Sequence, residues 1–228
     1  FGGATTLGGV LDFTGNKLTI NAAVSAGGNV SIDNAGLFTA SGAIDTDGAI
    51  AQSGTGANSL ANDITATGSI SFRKAVALAN SVTLSGTDIT LSSTIDGLNG
   101  SSAYDLTVTG SGNLSFTGAA TNLGTVGLTG NDISFGANFG SAALTVANSG
   151  QFTTANGVSV SNTGNFAQTG SGSNSLGSDF VLGGNMSFAS AITLTDDVHI
   201  QFTSGSLTFA KAIDSDSVGT KRSFTFSG

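Results

Sequence analysis

Fourteen acidic side chains, six basic ones and a single histidine hold all the charge chemistry of this 228-residue chain, and every one of the acids is Asp. Three acid pairs stand out: Asp45 with Asp47, Asp196 with Asp197, and Asp214 with Asp216. Glycoside cleavage uses paired carboxylates, and a polysaccharide lyase adds a basic residue to a Ca²⁺-binding acid cluster. The bases on offer are Lys17, Arg73, Lys74, Lys211, Lys221 and Arg222. Arg73-Lys74 and Lys211 follow apolar triplets, where turn solubility accounts for them. Asp45-Thr46-Asp47-Gly48 opens like a calcium loop but lacks the acidic residue that closes one. The related stretch from Gly157 to Asn162 has neither acid. Asp is also an ordinary turn residue. His199 sits in Val198-His199-Ile200, in the outward position of a triplet, with no acid or nucleophile at a telling spacing. We therefore assign no catalytic, cofactor-binding or metal-ligating residue and expect a non-enzyme.

The segments that must position these groups are short. The triplet apolar, Ser or Thr, apolar recurs throughout, as in Leu18-Thr19-Ile20, Ile70-Ser71-Phe72, Ile89-Thr90-Leu91, Ile133-Ser134-Phe135, Met186-Ser187-Phe188 and Phe224-Thr225-Phe226. Each reads as a strand with two side chains in a core and one hydroxyl outside. Gly, Asn and Ser separate the triplets. The chain has no Pro, no Cys, no Trp and 35 Gly. Helix-favouring Glu, Lys, Arg and Gln are scarce while Val, Ile, Phe and Thr are common, so the class is all-β.

A net charge of −8 with only 9% charged residues makes the surface polar but thinly charged. No basic stripe is available for phosphates, which excludes nucleic acid and anionic membrane surfaces as partners. Lack of cysteine fits export through an oxidising compartment. No apolar run is long enough for a membrane span. The opening Phe1-Gly2-Gly3 has no signal-peptide features, and Ser223 to Gly228 still follow the strand pattern, so we expect an internal segment of a longer or processed polypeptide.

Two interleaved series of triplets step by about 19 residues, which implies coils with at least two strands each. Residues 1–228 then form one β-solenoid segment of about 11–12 coils. A longer repeat lies over the first: Ala51-Gln52-Ser53-Gly54-Thr55-Gly56-Ala57-Asn58-Ser59-Leu60 returns as Ala167-Gln168-Thr169-Gly170-Ser171-Gly172-Ser173-Asn174-Ser175-Leu176. The halves are about 1–110 and 111–228, with roughly six coils in each. Phe72, Phe116, Phe135, Phe188, Phe209 and Phe226 share the third triplet position, and Phe188, Phe209 and Phe226 are expected to stack in one aromatic column. Gly28-Asn29, Asn99-Gly100, Gly130-Asn131, Asn156-Gly157 and Gly184-Asn185 read as corners with positive φ. The outward hydroxyls form a ladder of the kind that orders water in ice-binding solenoids. Ser alternates freely with Thr here, so ordinary solvation of a strand face explains it.

This repeat texture resembles the filamentous haemagglutinin type of β-helix found in bacterial surface adhesins. The resemblance implies a right-handed parallel β-helix, export across a Gram-negative outer membrane by two-partner secretion or as an autotransporter passenger, and a role as an adhesin shaft. It carries over no binding residues and implies no cofactor. The expected function is a non-enzymatic shaft or fibre segment of a large cell-surface or secreted, extracellular protein. Contacts to host or neighbouring-cell surface molecules or glycans would be made through other parts of the chain. The alternative is a subunit that self-associates end to end into an extracellular filament or sheath, and a carbohydrate-active or tailspike-like β-helix comes third.

Overall fold

The computed structural model describes residues 1–99 and 102–228, and among them every regular element is a strand. Apart from one small hairpin, all the strand pairs are parallel. The chain winds as a β-solenoid of about ten turns of roughly 20 residues. Each coil contributes three strands, one more than the minimum implied by the sequence. Leu11–Gly15, Leu18–Ile20 and Val24–Ala26 are one such set, on faces called here 1, 2 and 3. Face 1 is an eleven-stranded sheet running from Leu11–Gly15 to Ile213–Ser215. Faces 2 and 3 join into one sheet of twenty strands because Ala120–Gly130 and Phe139–Asn148 each continue from one face to the other as a single strand, the former through a register shift at Asn122, whose φ is 54°.

Three-residue strands are enough because neighbours above and below complete their hydrogen bonding. Successive strands stack like on like: Ile70 lies between Ile50 and Ile89, and Ser71 between Ala51 and Thr90. First and third positions are buried, the middle one half-buried or exposed, in strand after strand. Each fully buried Leu, Ile, Val or Phe contributes about 1.5–3 kcal/mol, whereas the outward Ser or Thr adds little. The triplet alternation therefore decides which way every strand faces. Steps between face 1 strands vary from 18 residues, between Asn174 and Ile192, to 25, between Ile89 and Leu114. The longest step holds the antiparallel hairpin of Leu98–Asn99 with Ser102–Ala103.

The long repeat does not comprise a whole number of coils. Gln52 ends a face 1 strand, Ile50–Gln52, whereas its counterpart Gln168 ends a face 3 strand, Phe166–Gln168. The same displacement by one face separates Phe38 from Phe152, Ile70 from Met186 and Val82 from Val198. From Gln52 to Gln168 the chain makes five turns and two further faces, not the six coils expected. What recurs is a run of strands, and the faces accept them interchangeably because all three ask for the same apolar, small, apolar pattern.

That displacement also scatters the aromatic column. Phe72, Phe116 and Phe135 are on face 1, Phe188 and Phe209 pair on face 3, and Phe226 is on face 2 opposite Ile200. Phe188 and Phe209 do stack, with centroids 6.1 Å apart, but Phe226 reaches Phe209 from the neighbouring face. The result is a spine of touching rings that crosses between faces from Phe116 to Phe226. Its tightest contact is the parallel pair Phe135 and Phe139, at 4.1 Å.

The corners work differently from the expectation as well. Of the glycines proposed for positive φ, only Gly157 adopts it, at 72°, and Gly100 lies outside the described residues. Coil corners here need close approach more than unusual dihedrals. A Cβ on Gly56 would lie 1.6 Å from the Gly36 carbonyl oxygen one coil below, and one on Gly172 would lie 1.6 Å from that of Gly150. Glycine is required at both because backbone passes directly over backbone.

Candidate functional site

Six of the acids, Asp63, Asp88, Asp105, Asp132, Asp179 and Asp197, tie one coil to the next. A carboxylate just ahead of a strand accepts a hydrogen bond from a backbone N–H in the next coil: Thr83 N to Asp63 at 2.7 Å, Asn113 N to Asp88 at 2.7 Å, Thr125 N to Asp105 at 2.6 Å and Gln151 N to Asp132 at 2.7 Å. Asn29 and Asn165 do the same for Ala49 and Asn185. The inter-coil spacing of about 4.8 Å suits a side chain with one methylene. The extra methylene of Glu would carry the carboxylate past the amide, which favours Asp at these stapling positions.

Asp45 and Asp47 do not form a loop around a site. Asp45 is the outward residue of strand Ile44–Thr46, stacked between Ser25 and Thr65. Thr46 between the two acids turns inward, donates to the Gly28 carbonyl and accepts from Gly48 N at 3.2 Å. Among the described residues no group of three or more His, Cys, Asp or Glu is arranged to hold a metal ion. Asp214 faces outward from strand Ile213–Ser215, while Asp216 pairs with Arg222 through Nε at 3.1 Å and Nη2 at 3.2 Å. The Arg222 hydrogen bond holds the Asp216 carboxyl below its ordinary value.

The structure does bring together one set of groups that the sequence left apart. Asp179, Asp196, Asp197, His199 and Gln201 line a groove of about 380 Å³ with Asn138 and Ser159 at the edge between faces 1 and 2. Asp179 is a staple, accepting from His199 N at 2.8 Å, and Asp197 accepts from Ser223 N at 2.7 Å. The His199 ring bridges to the following coil, with Nδ1 2.9 Å from Thr225 Oγ1 and Nε2 2.8 Å from Ser227 Oγ. The expectation that no nucleophile-type side chain approaches His199 is thus corrected, because Ser227 is adjacent only across a coil boundary. Each ring nitrogen meets a hydroxyl and neither meets a carboxylate, so no acid orients the ring as in a catalytic triad.

Comparison with family models, with curated proteins and with solved structures finds no match. The groove must therefore be read from its own chemistry. It is acidic and open, with its carboxylates already tied to backbone, and such a surface attracts cations more readily than it moves protons. Sequence reasoning missed Asp179. Asp179 and His199 are 20 residues apart, one coil, so the step of about 19 read from the triplets was the signal that could have joined them.

Five of the six basic residues lie along the same edge. Lys17 follows strand Leu11–Gly15, and Arg73 and Lys74 follow Ile70–Phe72, each at the corner from face 1 to face 2. Lys221 and Arg222 occupy the equivalent corner of the last coil, whereas Lys211 is at the corner from face 3 to face 1. Arg73 is exposed and its Nη1 donates to the Ser53 carbonyl at 3.2 Å.

Proposed function

We propose that this chain is a non-enzymatic shaft or fibre segment of a large bacterial cell-surface or secreted adhesin, exported through the outer membrane. The observation that carries the reading is the continuous stack of parallel strands on three faces, whose ladders run along the rod. Such a body is stiff for its mass and offers length rather than a cleft. Over ten inter-strand steps the rod extends about 48 Å. Six of its acids serve as staples between coils, which supports a mechanical role over a catalytic one. Receptor or glycan contacts would then belong to other parts of the polypeptide, with the shaft setting their reach and spacing.

The test is to remove whole coils from within this segment of the native protein and measure attachment of cells that display it. A shaft predicts normal surface display with attachment falling as the rod shortens. Unchanged attachment after removal of several coils would overturn the reading.

A further inference from the structure

We propose that the edge between faces 1 and 2 is a self-complementary docking surface, on which two copies of this chain lie side by side in opposite directions. This inference does not depend on the shaft reading. Counting coils along face 1, the fourth coil places Arg73 and Lys74 at this edge, and the tenth places Asp196 and Asp197 at the equivalent corner. Asp179, one coil earlier, extends the acidic end. Both patches are fixed by the fold. Gln52, buried beneath the basic corner, accepts from Arg73 N at 3.1 Å and Lys74 N at 3.2 Å through Oε1, while Asp197 is pinned by Ser223 N.

A two-fold axis perpendicular to the rod, through the seventh coil, places each basic corner against the acidic corner of the second copy. The contact is isologous, so both ends form at once. Six coil steps separate the patches, roughly 29 Å. The corners between them hold small or uncharged residues, Ser93, Gly118, Gly136 with Ala137, and Asn156 with Gly157, and Asp96, set one position into face 2, accepts from Asn122 at 3.1 Å, so two rods can approach closely along this edge. The groove beside Asp196, about 380 Å³ and open to the outside, has room for a Lys or Arg side chain. Arg222 lies 3.9 Å from Asp196 but is engaged with Asp216. Lys221 stands beside it, and Asp179, Asp196, Asp197 and Asp216 against these two bases leave the acidic end net negative. Exposed ion pairs are individually weak and screened by salt, so the dimer should be reversible.

Sedimentation velocity on the 228-residue chain tests this. The expected result is a dimer at low ionic strength that dissociates as the Debye length shrinks to about 10 Å near 0.1 M salt. Arg73→Glu with Lys74→Glu should give a monomer, as should Asp196→Lys, and mixing the two variants should restore a dimer. Circular dichroism checks that each variant is folded. A zero-length carbodiimide should join Lys74 to Asp196 between copies, since within one chain they are too far apart. A chain that stays monomeric at low salt overturns the proposal. So does a dimer that is insensitive to the charge reversals, or one cross-linked only through its ends at Lys17 and Asp214.

Discussion

Gln52 and Gln168, 116 positions apart in sequence, occupy the same buried hydrogen-bonded setting on different faces of the rod. Gln52 Nε2 donates to Asn34 Oδ1 at 2.7 Å and to the Gly54 carbonyl at 3.0 Å; Gln168 Nε2 donates to Asn148 Oδ1 at 2.7 Å and to the Gly170 carbonyl at 2.8 Å. On the other side Gln168 Oε1 accepts from Ala189 and Ser190, matching Arg73 and Lys74 at Gln52. One amide thus ties three coils together at a corner. Replacing either Gln with Leu strands buried partners and should cost about 1–3 kcal/mol, read as a lower denaturant midpoint. The two sites share no partner, so the losses should add.

The displacement by one face makes a stronger claim about interchangeability. Deleting residues 35–148 joins Asn34 to Ser149 and forces every following strand onto a new face. The shortened chain should unfold cooperatively with a β-type spectrum, and Gln168 should now donate to Asn34. An unfolded or aggregated product would show that the faces are not equivalent.

The staples predict an inverted order of substitution. At Asp105 and Asp132, change to Asn keeps one methylene and an acceptor oxygen, and should leave thermal stability nearly unchanged. Change to Glu preserves the charge but misplaces the acceptor, and should cost about 0.5–1.5 kcal/mol at each site by thermal melting.

For Asp216 the sign follows from its lowered folded value, caused first by the Arg222 hydrogen bond. Its stabilising contribution is complete above the ordinary carboxylate range and is lost as pH falls through the depressed value. Arg222→Gln should therefore lower stability slightly near neutrality, with the two proteins converging as pH falls below about 4. Because the pair is exposed, the effect should be small and should fade in salt.

Truncating the aromatic spine should discriminate core from end. Phe166 is 1% exposed and touches the rings of Phe152, Phe180 and Phe188. Phe166→Ala should cost about 3–5 kcal/mol. Phe226, 48% exposed, should cost clearly less in the same urea titration.

The coiled all-β architecture was legible because one pattern, apolar, small, apolar, fixes both strand and facing. The triplets named from sequence, from Leu18–Ile20 to Phe224–Ser227, all lie in strands. Three strands per coil were harder to see, since corner residues vary in number and blur the period. The six-coil repeat failed for a related reason: sequence shows that Gln52 and Gln168 match but not that they face different ways. The groove around His199 was hidden because its members, Asp179, Asp197 and Ser227, come from successive coils. The average step of about 19 was legible, but 20 residues separate Asp179 from His199 and 26 separate Asp197 from Ser223, so the uneven coils hid the neighbours.

The recurrence of the Gln corners on different faces sets a limit on what that recurrence can be for. The loops Ser53–Ala57 and Thr169–Ser173 lie about 27 Å apart along the axis and point outward roughly a third of a revolution from one another. A flat partner, such as a membrane or a crystalline polymer, could press on one loop only while the other looked away. Whatever kept the pair alike must therefore act from beneath, through the amide knot that each loop has to clear.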